Sequence, residues 1–209
     1  MTILLKFREE KLLDGEYIIF QPDVSEEVFW EYVNEDSNCE LIDGMLVIHS
    51  PALEEHEDIF GYLYTILRSY LEKSQSGKIY GSRFIMRISN KWNPEPDIFI
   101  IKPENYSKIK TNYYDGPADL VIEIISKSTR ELDLTKKLPE FLKVGVKEVW
   151  IIDPENKEIT VHSKDITTKY SDYKSNTIIK SSVLPELQFQ VNWLWFREKF
   201  PINYVLSKI

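Results

Sequence analysis

Glu123 constrains this chain more than any other position, because it interrupts the run Leu120-Val121-Ile122-Glu123-Ile124-Ile125. In a strand, Leu120, Ile122 and Ile124 point one way, and Val121, Glu123 and Ile125 the other. Both faces are mainly apolar, which predicts a central strand covered on two sides. A carboxylate buried there is strongly unfavourable unless a cation meets it, and a bound metal or a lysine is the natural compensator. The alternative is an edge position from which Glu123 reaches solvent.

Asp97 repeats the pattern. It follows Pro96 and opens the apolar run Ile98-Phe99-Ile100-Ile101. It either ends a turn or joins Glu123 in a hard-oxygen site suited to Mg²⁺. Helix arithmetic supplies a third group. At 100° per residue, Leu134, Leu138, Phe141 and Leu142 define an apolar stripe, with Lys137 about 40° from Phe141 and Lys136 pointing away. Lys137 is therefore either a solvated flank residue or a stem laid along the sheet with its ammonium at the carboxylates. Pro139 is accommodated if that helix begins near Thr135.

The surrounding pattern predicts a mixed sheet with helices packed on it. Val28, Phe29, Tyr32 and Val33 have helical spacing after Ser25. Residues 40–48 read as two strands folded over Asp43-Gly44. Ser50-Pro51 reads as a helix start, with Ile59, Leu63, Ile66, Leu67 and Tyr70 on its buried face to about Lys73. Strands are expected at 78–88, 97–101, 119–126 and 148–153, with a helix over 133–144 stopped by Gly145. Short antiparallel strands follow at 158–162, 167–170 and 177–179. No repeat or low-complexity linker divides the chain, so a single domain over 1–209 is expected, with a core at about 25–165 and a C-terminal extension over 166–209.

Composition narrows the function. With 26 Lys and Arg against 34 Asp and Glu, the net charge of −8 does not advertise a protein that coats nucleic acid. It leaves room for an enzyme that gathers carboxylates around cations. One cysteine, Cys39, excludes an internal disulfide framework and fits a reducing compartment. No apolar run reaches the roughly 18 residues of a membrane span. Charges break the N-terminal patch MTILLKFREEKLL, and no small-residue cleavage site follows it. A soluble cytoplasmic protein is expected.

Glu40-Leu41-Ile42-Asp43-Gly44, Ser50-Pro51, His56, Pro96-Asp97, the strand from Asp119 to Ser126, Ser128-Thr129-Arg130, Asp133, Lys137, Gly145-Val146-Lys147-Glu148-Val149-Trp150 and Ile151-Ile152-Asp153 occur in this order. Together, over about residues 40–162, they resemble the Uma-two-type endonucleases of the PD-(D/E)XK restriction-endonuclease-like superfamily. That resemblance implies an αβββαβ core and metal-assisted hydrolysis of DNA phosphodiesters. It implies that Asp97 and Glu123 hold Mg²⁺ (or Mn²⁺), with a backbone carbonyl near Ile124 as a further ligand. Lys137 would orient the attacking water or stabilise the transition state. Glu40 would be an additional acid near the site, and His56 a supporting residue. The superfamily's usual lysine, two residues after the second acid, is Ile125 here, so Lys137 from the following helix takes its place.

Other residues carry less. Acids around His56 also complement a helix dipole without any metal. His49 and His162 are isolated and have no assigned role. No zinc spacing, phosphate-cradling glycine loop or Ser/His/Asp order occurs. Residues 127–147 hold six basic residues against Glu131, Asp133 and Glu140, a net of +3 that would suffice for a modest docking face. Homodimerisation would double it, with the apolar Trp193-Leu194-Trp195-Phe196 either an interface or core. The alternative to an active nuclease is a catalytically silent member of the fold that binds nucleic acid or partners.

Overall fold

The computed structural model describes residues 17–33, 38–81 and 83–209, so the N-terminal patch read above lies outside the described residues. The first half of the chain runs β1 (Ile18–Gln21), α1 (Glu26–Tyr32), β2 (Cys39–Ile42), β3 (Met45–His49), α2 (Glu54–Ser74), β4 (Lys78–Gly81), β5 (Ile85–Arg87), β6 (Trp92–Asn93) and β7 (Ile98–Ile101). It continues through β8 (Tyr113–Asp115), β9 (Leu120–Ile124), α3 (Arg130–Leu132), a wide turn (Asp133–Lys137), α4 (Leu138–Val144) and β10 (Glu148–Asp153). The C-terminal part is β11 (Glu158–Ser163), β12 (Thr167–Tyr170), α5 (Val191–Trp195) and α6 (Ile202–Leu206).

Six strands form the main sheet in the order β12-β11-β10-β9-β7-β4. β9 and β10 are parallel, and their crossover is the helical stretch from Arg130 to Val144. A parallel pair requires such a crossover, whereas the remaining neighbours are antiparallel. Within this sheet, α2, β4, β7, β9, the crossover helix and β10 follow as αβββαβ. A smaller sheet, β1-β3-β2-β6, carries the Asp-Gly hairpin. There Ile42 faces Met45, and Asp43 and Gly44 take φ values of 55° and 76°, the left-handed pair that a two-residue hairpin turn needs.

The two faces of the main sheet have different jobs. Ile98, Ile100, Leu120, Ile122, Trp150 and Ile152 pack against α2 through Ile59, Leu63, Ile66 and Leu67. The opposite face, with Phe99, Val121, Ile125, Val149 and Ile151, meets Phe141 of the crossover helix. Asp97 and Glu123 have the parity of Phe99 and Val121, so they face the helix that carries Lys137. Burying one large apolar side chain such as Phe141 contributes about 1.5–3 kcal/mol, so this face is also structurally committed.

Several expectations need correction. Ser50-Pro51 does not start α2, whose N-cap is Leu53 with no side-chain hydrogen bond. The Ser50 N–H instead donates to the Tyr17 carbonyl at 3.1 Å, prolonging the β1–β3 pairing by one residue. The stretch 78–88 is two strands rather than one. β4 pairs with β7, the chain turns at Arg83 with φ 73°, and β5 leaves to pair with β8. The crossover helix begins at Arg130, not near Thr135, which leaves Pro139 in its interior. The wide turn accommodates it: the Leu138 N–H donates five residues back to Asp133, so the ladder is already opened where proline has no N–H to give. Gly145 ends the helix as expected, at φ 100°.

In the C-terminal extension, 177–179 forms a single bridge, Ile178 to Gln190, rather than a strand. Trp193 and Leu194 are buried against the sheet and α2, and the Tyr62 hydroxyl donates to the Phe200 carbonyl at 2.7 Å. Trp193 and its neighbours are therefore core and not an exposed interface. Among the described residues, no helix is long and apolar enough to cross a membrane.

Candidate active site

Two backbone bonds clasp the acidic pair. The Asp97 N–H donates to Glu123 Oε2 at 3.3 Å, and the Ile124 N–H donates to Asp97 Oδ2 at 2.7 Å. The reciprocity follows from antiparallel pairing, which sets Ile98 opposite Ile122 and brings the residue before β7 beside β9. Both carboxylates open into a cleft of about 370 Å³ between the two sheets and the start of α2.

Lys137 enters from the wide turn. Its Nζ lies 2.7 Å from Glu123 Oε1, 3.3 Å from Glu40 Oε2 and 3.5 Å from Asp133 Oδ1. Glu123 Oε1 meets no donor at a hydrogen-bonding angle, so its contact with Lys137 is an ion pair rather than an aligned hydrogen bond. Glu40, from β2, accepts the Glu95 N–H at 3.1 Å and contacts His49 Nε2 at 3.0 Å. His56, from the first turn of α2, sets Nε2 at 3.2 Å from Asp97 Oδ1 and Nδ1 at 3.4 Å from Glu57.

All five residues anticipated from sequence, Glu40, His56, Asp97, Glu123 and Lys137, line this one cleft. Three more were missed: His49, Glu95 and Asp133. Asp133 stands four residues before Lys137, the spacing that pairs charges along a helix, and this signal was available. His49 and Glu95 have no such local signature; only the fold brings them to Glu40. His162 lies elsewhere, beside Thr167. Ile125 packs in the apolar core, and Lys137 reaches the acids from the helix instead.

Burial and shared charge set the protonation states. Burial opposes the Lys137 ammonium, but Glu123, Glu40 and Asp133 outweigh it and hold its pKa well above the usual lysine range. Burial likewise opposes the Glu40 carboxylate, yet Lys137, His49 and the Glu95 N–H bring it down to about 2. For Glu123, burial and the like charges of Asp133, Asp97 and Glu40 prevail over Lys137 and raise the pKa well above the ordinary value. Burial and Glu40 push Glu95 up to about 8. Burial works against charged His56, but Asp97 and Glu57 take it up to about 9.

The donor set fits a small hard cation. Two clasped carboxylates supply anionic oxygens, Glu123 Oε1 has no aligned donor, and Mg²⁺ is commonly held by one or two carboxylates with water and phosphate completing its shell. Among the described residues, no group of three or more His, Cys, Asp or Glu stands ready to hold a metal by itself.

The expected basic face over 127–147 does not stand unopposed. Lys127, Arg130, Lys136, Lys137, Lys143 and Lys147 each lie within 4 Å of a carboxylate, Arg130 as a two-pronged pair with Asp153.

The family model described as "putative restriction endonuclease", Uma2, matches residues 26–192. No curated protein sequence matches significantly. The fold is similar to a crystal structure of "a putative nuclease belonging to DUF820" from Anabaena variabilis ATCC 29413, with a TM-score of 0.72 and 17% identity over 82% of this chain and 97% of that one.

Proposed function

The chain belongs to the Uma2 family of "putative restriction endonucleases", and from that premise we propose that it is a metal-dependent endonuclease hydrolysing DNA in the cytoplasm. The observation that supports this most is the convergence of Asp97, Glu123 and Lys137, from β7, β9 and the crossover helix, on one cleft. Asp97 and Glu123 are the residues that would hold Mg²⁺ or Mn²⁺, with the Ile124 carbonyl as a further ligand. When bound, the metal supplies a more acidic water and neutralises charge on the scissile phosphate.

The chain's own residues do the rest. Lys137 orients the attacking water and offsets the charge that builds on the phosphate in the transition state. Glu40 and Asp133 hold its ammonium in place, leaving little rotational freedom to lose on reaction. His56 holds Asp97 Oδ1, while the Ile124 N–H holds Oδ2, fixing the plane of that carboxylate.

A second reading has its own support. Asp97 and Glu123 already face His56 and Lys137, so the charges are partly compensated without any metal. That suits a catalytically silent fold acting as a nucleic-acid-binding or assembly module. Nicking of supercoiled plasmid with Mg²⁺, Mn²⁺ or EDTA separates the two. The nuclease reading expects metal-dependent nicking that disappears in Asp97→Ala, Glu123→Ala and Lys137→Ala alike. Nicking that survives in all three variants would sink the site assignment, and a chain inert with either metal would favour the silent fold.

A further inference from the structure

We propose that Leu53 is a substrate-binding residue that packs against the face of an unpaired base next to the phosphate to be cut, so that the cleft takes locally unpaired DNA in preference to intact duplex. This rests on the nuclease reading above and adds to it a class of substrate.

The cleft has two kinds of wall. Asp97, Glu123 and their partners make a charged one, whereas Tyr17, Pro51, Ala52 and Leu53 make one that carries no charge. Pro51, Ala52 and Leu53 are all exposed, and Leu53 keeps 50% of its surface open to solvent. The loop that presents them is tied at both ends. The Ser50 N–H donates to the Tyr17 carbonyl at 3.1 Å, and the Glu57 N–H donates to the Leu53 carbonyl at 3.1 Å in the first turn of α2. His56 stands three residues after Leu53, with its Nε2 3.2 Å from Asp97 Oδ1. Residues three apart are neighbours on a helix, so the apolar wall ends beside the acidic site.

Leu53 occupies a position that would serve the helix better with another residue. It is the N-cap of α2, with φ −78° and ψ 158°, and it makes no side-chain hydrogen bond to the first turn. Ser25 holds the N-cap of α1 in nearly the same backbone conformation, φ −75° and ψ 160°, and accepts the Val28 N–H at 3.3 Å. Serine would therefore fit position 53 without rearrangement, and leucine is among the poorest N-caps. A lone exposed leucine is ordinary on a protein surface, but this one leaves a helix without a side-chain cap at the mouth of a charged cleft. Folding alone gives no reason for it.

A nucleotide supplies the missing reason. Its phosphate suits the acidic site with a bound cation, and its base has an apolar face that only the uncharged wall can match. In intact duplex each base is covered by its neighbours in the stack, so only a base that leaves the stack can meet Leu53. Leucine is among the side chains that proteins insert against unstacked bases. The cleft volume of about 370 Å³ is that of a pocket for one small molecule rather than a channel for a duplex.

The test separates binding from folding. Leu53→Ser removes the apolar contact and supplies a cap, so its thermal midpoint should equal or exceed that of the wild type. Binding by the full chain is then followed by anisotropy across a salt series, in EDTA and again with Ca²⁺. The probes are a fluorescein-labelled DNA duplex and the same duplex with a short unpaired stretch, which wild type should bind more tightly. Half of the Leu53 surface remains to be buried, so Leu53→Ser should bind the unpaired form on the order of tenfold more weakly and the intact duplex with little change. The slope of log K against log salt should stay the same, because no phosphate contact is lost. Leu53→Met should recover most of the affinity. Equal affinity of Leu53→Ser and wild type for the unpaired form, or equal affinity of wild type for the two DNAs, would overturn the proposal and leave the nuclease reading standing. A lowered melting midpoint in Leu53→Ser would make the side chain part of the packing and overturn it as well. Wild-type protein that binds neither DNA under either condition would bring down the DNA reading and this contact together.

Discussion

Lys137 Nζ stands 2.7 Å from Glu123 Oε1, with only 4% of either side chain exposed. The same ammonium also serves Glu40 and Asp133, so three buried carboxylates share one cation. Such an arrangement is poor value as a stabilising device, since desolvation of buried ion pairs commonly cancels their attraction. Removing one member is a different matter, because the others remain buried.

Lys137→Met therefore leaves three carboxylates without their common partner, and should lower unfolding stability by about 3–5 kcal/mol. Adding Glu123→Gln should restore part of the loss, because one of the stranded charges goes with it. The coupling in that double-mutant cycle should exceed about 1 kcal/mol, read from urea unfolding of the four proteins. Strict additivity would mean that Lys137 and Glu123 do not act as a pair in solution.

Asp119 is outside the lining of the cleft and should contribute to acid sensitivity of the fold. It is 2% exposed and accepts the Lys102 N–H at 2.7 Å, with Lys147 Nζ also at 2.7 Å and Asn105 close by. Burial opposes its charge, but the Lys102 N–H, Lys147 and Asn105 together hold its pKa below the ordinary aspartate value. With the folded pKa depressed, its contribution is complete above the unfolded value near 4 and is lost as pH falls through the folded one. Asp119→Asn should therefore be less stable than wild type at neutral pH, and the gap should narrow as pH drops below about 4. Urea midpoints at neutral and acid pH measure it; a gap that widened on acidification would reverse the sign and refute the argument.

Gly77 sets two effects against each other. Replacing glycine by alanine ordinarily stabilises by about 0.4–1 kcal/mol, by restricting the unfolded chain. Here an added Cβ would sit 3.0 Å from the Ile101 carbonyl oxygen, 3.2 Å from Leu71 Cδ2 and 3.3 Å from Ile100 Cγ2. Two of those neighbours belong to β7, which cannot retreat without disturbing the central sheet. Overpacking of this kind costs about 1–3 kcal/mol, so it should win, and Gly77→Ala should unfold at lower urea. A raised midpoint would show that the strand end yields more readily than its packing suggests.

Much of this architecture was legible because its signals are local. Asp43-Gly44 demands a tight hairpin, Gly145 stops a helix, and the apolar runs around Glu123 and Asp97 announce buried strands. The convergence of Asp97, Glu123 and Lys137 was also within reach, since strand parity and helix phase orient each side chain. What escaped depends on pairing between distant segments. Ser50 reads as a cap, yet Tyr17 claims its N–H for the sheet. Residues 78–88 read as one strand, although a turn at Arg83 sends the second half to a different partner. His49 and Glu95 reach Glu40 only through the geometry of β3 and of the loop before Asp97, and no spacing rule encodes that.

Glu40 offers the sharpest separation between positioning a group and holding a metal. Its Oε1 contacts His49, while Oε2 accepts the Glu95 N–H and approaches Lys137. Glutamine has the same shape, and its amide oxygen can keep the Glu95 and Lys137 contacts while its NH₂ turns toward His49. Glu40→Gln should therefore lose only about 1–2 kcal/mol of stability, whereas Glu40→Ala orphans the Glu95 N–H and should lose more. In either variant Lys137 still has Glu123 and Asp133 as counter-charges, so plasmid nicking in Glu40→Gln should fall by about tenfold rather than vanish. Glu123→Gln, by contrast, removes a carboxylate proposed to hold the metal and should abolish nicking. If Glu40→Gln were as inactive as Glu123→Gln while remaining folded, Glu40 would belong with the metal-holding acids rather than behind Lys137.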